Sequence, residues 1–175
     1  QDRPSGLVLG NAWAFDIAKK QLVALAEAQP GLSLKWAESG KKALAFTANK
    51  NGRGGSLLLI SAQGEVEQEL SFLTFPEKCG FGTTSASSTS SEFLVCAAPR
   101  DPSFLEVSVL HDAYYKRLSF SADDIFAVNL GNGQVRTVFG DASKTIDVAN
   151  LSVAGNSVYF INRYDNKLYS LPLGK

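Results

Sequence analysis

Apolar and polar positions alternate along most of this chain, in short runs broken by turn residues, and a period of two predicts strands. After the short apolar run Leu7-Val8-Leu9, the stretch Ala12-Trp13-Ala14-Phe15-Asp16-Ile17 reads as a strand. Ala18-Lys19-Lys20 reads as a turn and Gln21-Leu22-Val23-Ala24-Leu25 as the returning strand. A helix from about Ala14 to Ala28 competes, because Ala, Lys, Gln, Leu and Glu favour helices. The same pattern returns further along the chain, and that recurrence decides for strands.

A second unit begins after Pro30-Gly31. Leu32-Ser33-Leu34-Lys35-Trp36 alternates cleanly, Glu38 to Lys42 turns, and Ala43-Leu44-Ala45-Phe46 follows as a strand. Asn51-Gly52-Arg53-Gly54-Gly55 is a loop rich in residues that accept positive φ. Ser56 to Ile60 is continuously apolar, as in a strand covered on both faces. Gln63-Gly64 then turns into the charged stretch Glu65 to Leu70, which suits an exposed edge.

Residues Pro76 to Val138 repeat that order as four strands, with an irregular insertion from Arg100 to Ser119 after the second. Ile146 to Val153, Ser157 to Ile161 and Lys167 to Leu171 make a last unit without a fourth strand. The stretches Trp13–Ile17, Leu57–Ile60, Ile125–Leu130 and Leu168–Leu171 occupy the third-strand place. They are spaced about 44 residues between the first two and about 43 between the last two, and a period of about 40–45 residues is that of a propeller blade. The expectation is an all-β chain: a β-propeller, or part of one, built of four-stranded antiparallel blades. The segments are 7–29 (partial), 31–71, 76–140 and 144–173 (lacking its outer strand), about three and a half blades against the 4–8 of a closed ring. A two-sheet sandwich is the rival, but it has no need of such a period. The count predicts a longer propeller of which this is the C-terminal part, a ring closed by two copies, or closure through Leu7-Val8-Leu9. The chain has no Met, even at position 1. A processed or trimmed N-terminus is therefore expected, with any signal or membrane anchor removed.

Basic and acidic residues balance at 17 each, which gives no electrostatic case for nucleic acid or an anionic membrane. No apolar run approaches the roughly 18 residues of a membrane-spanning helix. Cys79 and Cys96 are the only cysteines, two buried thiols or one disulfide joining adjacent strands across the Ser/Thr hairpin. They lack the spacing of a zinc site. His111, the only histidine, has no Gly-x-Ser-x-Gly elbow to partner it and reads as a surface-loop residue. Asp123-Asp124 raises a calcium or carboxylate-pair site; the plainer reading is a turn residue followed by a strand start bound to loop backbone, with no calcium-loop motif around them. Gly52-Arg53-Gly54-Gly55 lacks the Gly-Lys-Ser/Thr of a phosphate loop. Neither a metal nor a cofactor is implied. The Ser/Thr run from Thr83 to Ser91 reads as a hairpin tip, and Asn150-Leu151-Ser152 matches a glycosylation acceptor inside a strand pattern. The insertion is the best interaction segment, with Phe104, Leu105, Val107, His111, Tyr114 and Tyr115 on it. Packing of that segment back over its own blade is the plainer alternative.

Leu34-Lys35-Trp36-Ala37-Glu38-Ser39-Gly40-Lys41-Lys42-Ala43-Leu44-Ala45-Phe46 resembles the WD-like and TolB-like propeller repeats of bacteria, with Ala37 and Glu38 in place of Pro and Asp. Leu151 to Phe160 resembles the same repeat in a worn form. Pro76-Glu77-Lys78-Cys79, Val95-Cys96-Ala97-Ala98-Pro99, Tyr114-Tyr115-Lys116 and Phe120 to Ile125 resemble membrane-anchored, extracytoplasmic propellers of small-genome candidate-phylum bacteria. The resemblance covers roughly residues 30–173. It implies the fold, a periplasmic or cell-surface location and a paired Cys79 and Cys96, and it carries over no catalytic residue. The function expected is a non-enzymatic scaffold binding a protein or small ligand at the cell envelope. A hydrolase working at the central face of the propeller is the alternative.

Overall fold

The computed structural model describes residues 4–86 and 89–174. The chain is all-β, with four antiparallel sheets. It divides into two compact units, Gln1–Pro76 with Pro102–Ser119, and Glu77–Asp101 with Phe120–Lys175.

In the first unit, β1 (Leu9–Asp16) and β2 (Gln21–Pro30) form a hairpin. The helical alternative for this stretch does not form. Next come β3 (Ser33–Trp36), β4 (Lys42–Ala48), β5 (Gly55–Ser61) and β6 (Val66–Glu69), an antiparallel meander in sequence order. Strand β4 is buried on both faces. Ala43 and Ala45 point one way, and with Ile60 and Leu25 they form a core against which Ala12 and Ala14 of the hairpin pack. The small side chains on both sides let the hairpin approach the sheet closely. Gly64, in the turn after β5, is required twice over: its φ is +84°, and a Cβ there would sit 2.6 Å from the carbonyl oxygen of Leu25. Phe46, on the other face of β4, meets Phe75 edge-on at 5.5 Å.

The second unit carries β7 (Cys79–Ala86), β8 (Thr89–Pro99), β9 (Asp123–Asn129) and β10 (Val135–Phe139), hydrogen-bonded in that order. A three-stranded sheet follows, of β11 (Val148–Ala154), β12 (Ser157–Asn162) and β13 (Lys167–Pro172). Their shared core is Val95, Ala97, Ile125 and Ala127 with Val148, Leu151, Val158, Phe160 and Leu173. Cys79 and Cys96 face each other across β7 and β8, their Cα atoms 4.0 Å apart, and form a buried disulfide. The tip expected in the Ser/Thr run falls on residues 87–88, outside the described residues.

Candidate functional site

The inserted segment is not irregular throughout. Two short helices, α1 (Ser103–Val107) and α2 (Asp112–Tyr115), form within it, and both belong to the first unit. Backbone bonds stitch it to the glycine-rich loop: Gly54 N donates to Leu105 O at 3.1 Å and Leu110 N to Gly52 O at 2.9 Å. Gly6 N donates to Leu110 O at 3.1 Å, and Asp112 accepts from Ser5 Oγ at 2.9 Å.

His111 is not the surface residue expected. It is fully buried, with its ring 4.9 Å from Phe46 and 4.7 Å from Phe75. Nε2 lies 3.0 Å from Gly31 O and 3.3 Å from Ser33 Oγ. A carbonyl only accepts, so Nε2 carries the proton. The residue holds φ at 65°, a conformation uncommon for a side chain of this size, and its buried bonds keep it there. Leu105 and Tyr114 are also solvent-excluded, so what the segment can offer a partner narrows to exposed Val107 and half-buried Phe104 and Tyr115. Burying the apolar residues of the segment against Phe46 and Phe75 outweighs leaving them in water.

In the second unit, sequence reading missed a buried ion network. Lys78, at the end of a 3-10 turn (Pro76–Lys78), points its Nζ at Ser121 Oγ (2.8 Å), Asp123 Oδ2 (2.8 Å) and Asp147 Oδ1 (2.7 Å). Arg163 Nη1 donates to Asp147 Oδ2 at 2.6 Å. Asp123 also accepts from Ser121 Oγ (2.7 Å) and from Val148 N (2.7 Å). Two cations meet two carboxylates, and each ammonium hydrogen of Lys78 has an acceptor. The arrangement therefore fastens the turn before β7 to the starts of β9 and β11. Arg163 lies 4.8 Å over the Phe120 ring, which stacks on Tyr164. The Tyr164 phenol is held above its ordinary pKa, first by burial and then by the charges of Asp147 and Asp123.

Asp124 points away from this network and pairs with Arg100 at 2.8 Å on the surface. Neighbours on a strand face opposite ways, so Asp123 and Asp124 do not act as a carboxylate pair. Among the described residues no group of three or more His, Cys, Asp or Glu is placed to hold a metal.

An exposed aromatic surface lies in the first unit. On β1, Ala12 and Ala14 face the core, so Trp13 and Phe15 must face out. They are 53% and 59% exposed, and Trp36 at the end of β3 is 39% exposed. These three rings, with Asp16, Lys19 and Gln63, line a cleft of about 510 Å³ in the first unit. Lys19 N donates to Asp16 Oδ1 at 3.0 Å, and Lys19 Nζ lies 3.6 Å from Asp16 Oδ2. The backbone bond, foremost, holds the Asp16 carboxyl below its usual range. The cleft thus offers π faces beside a carboxylate, an ammonium and an amide. One signal for it stands in the sequence: large aromatics alternate with alanines in Ala12-Trp13-Ala14-Phe15, and both tryptophans of the chain converge on this place.

The fold is similar to that of a chain of Hydrazine Synthase from Kuenenia stuttgartiensis, with a TM-score of 0.52 and 13% identity over 97% of this chain and 48% of that one. At that identity the likeness is one of fold alone. TolB from Acinetobacter baumannii is a weaker match, with a TM-score of 0.31 and 12% identity over 93% of this chain and 49% of that one. The chain spans about half the length of these two solved structures. No protein-family model and no curated protein matches the sequence.

Proposed function

We propose that this chain forms part of a β-propeller, its sheets serving as blades, and acts outside the cytoplasm as a non-enzymatic binding module. The cleft carries this reading. Three exposed rings stand on or beside hydrogen-bonded strands, and rigid, solvent-exposed aromatics are what binding surfaces are built from. The meanders recurring at the blade period support the propeller. The buried Cys79–Cys96 disulfide supports an oxidising compartment, since such bonds persist outside the reducing cytosol. The described residues contain no helix long and apolar enough to cross a membrane.

Thermal-shift screening against soluble sugars, peptides and small metabolites tests the reading. A ligand that raises the melting temperature, with the rise lost in the Trp13→Ala/Trp36→Ala double variant, is the expected result. Turnover of an ester, glycoside or peptide substrate by the purified chain, abolished by substitution of one of its own residues, would overturn it.

A further inference from the structure

We infer that the cleft of Trp13, Phe15 and Trp36 binds a neutral oligosaccharide, an assignment that rests on the binding-module reading. Trp13 and Phe15 are two residues apart on one face of β1, so their attachment points are about 6.8 Å apart and project the same way. Two rings so placed make a stepped shelf along a strand, which suits a chain of flat sugar rings lying over it. Sugar rings present apolar C–H faces to such a shelf and hydroxyls at their edges. The hydroxyl edges would meet Asp16, Lys19 and Gln63, which border the rings in the same cleft.

Charge narrows the choice further. The one acid and one base among the lining residues lie 3.6 Å apart and offset each other, so the cleft favours neither an anion nor a cation. A proline-rich peptide is also neutral and also seeks aromatic grooves. Its prolines offer carbonyl acceptors and no N–H, which would leave the Asp16 carboxylate and the Gln63 carbonyl facing a ligand without donors. Hydroxyls donate and accept, and so can serve carboxylate, amide and ammonium alike. A volume of about 510 Å³ lies within the range of ordinary ligand sites.

Both tryptophans line the cleft, so tryptophan emission from the 175-residue chain reads this site and no other. The probes are maltotriose, cellotriose, diacetylchitobiose and a proline decamer. Saturable change with at least one of the sugars is expected, insensitive to added salt. By calorimetry, Trp13→Ala and Trp36→Ala should each weaken that binding about tenfold or more, with circular dichroism unchanged. A response to the proline decamer and to none of the sugars would overturn the sugar assignment and leave the binding module standing. Binding retained in both tryptophan variants would also overturn it, since the sugar would then sit elsewhere. Release of reducing ends from a bound sugar, lost in Asp16→Asn, would uphold the sugar and overturn the non-enzymatic reading.

Discussion

Lys78 Nζ lies 2.7 Å from Asp147 Oδ1, with the lysine 2% exposed and the aspartate fully buried. The ammonium also meets Asp123, and Arg163 alone would remain to offset two carboxylates if the lysine were lost. Breaking such a network from one side leaves an uncompensated buried charge, which costs far more than the intact network contributes over an apolar replacement. Lys78→Met should therefore lower the unfolding free energy by about 3–5 kcal/mol in urea titrations. An unchanged midpoint would show that the network does not hold the second unit together.

The Cys79–Cys96 disulfide spans a sequence separation of 17. Closing a loop of that size is worth about 3 kcal/mol through the unfolded chain. Mass spectrometry of the unreduced, alkylated protein should show no label on either cysteine, and the Cys79→Ala/Cys96→Ala variant should unfold at a lower urea concentration. Full labelling of both cysteines in unfolded, unreduced protein would remove the bond and, with it, the case for an oxidising compartment.

His111 serves as a core residue of the first unit, so its replacement should act on stability. His111→Ala removes a ring packed on Phe46 and Phe75 and leaves the Gly31 carbonyl without that donor. The loss should be about 2–5 kcal/mol, as for other large-to-small core changes. Hydrogen exchange should show lost protection in β4 before β9. A variant as stable as the parent would place this side chain outside the core.

Tyr169 donates to Asp165 Oδ2 at 2.7 Å on the surface of the second unit. That bond, with the backbone N–H of Lys167, holds the Asp165 carboxyl below its ordinary value, and it raises the Tyr169 phenol. A depressed carboxyl contributes stability above its unfolded pKa of about 3.9, and the contribution is lost as pH falls through the folded value. Titration by nuclear magnetic resonance should place the Asp165 midpoint below that of a free aspartate. In Tyr169→Phe it should move back up, and a midpoint indifferent to the substitution would disprove the coupling.

The sheets were legible because their strands obey local rules. Alternation in Leu32–Trp36, the unbroken apolar run at Ser56–Ile60 and the turns at Gln63-Gly64 and Ala154–Asn156 all fall where β3, β5 and the later turns lie. Lys78 was not legible, because its partners Asp123 and Asp147 are 45 and 69 positions away and nothing local marks a lysine for burial. His111 was misplaced for the same reason: the rings that bury it, Phe46 and Phe75, are far from it in sequence, and nothing local marks a histidine for burial. Trp13 and Phe15 were read correctly as strand residues; the alternation in β1 marks an aromatic face and an alanine face, but that the alanine face is the covered one depends on the alanines of β4, far away in sequence.

The first unit is written in two pieces, and residues 77–101 of the second unit lie between them. On the ribosome, where the chain emerges in order, the first 76 residues come out with Phe46 and Phe75 still awaiting His111 and Tyr114. By the time residues 102–119 arrive, β7 and β8 have already been made. The first unit thus cannot be completed until part of the second has been made, and a nascent chain stalled before residue 102 would present an open aromatic face to chaperones.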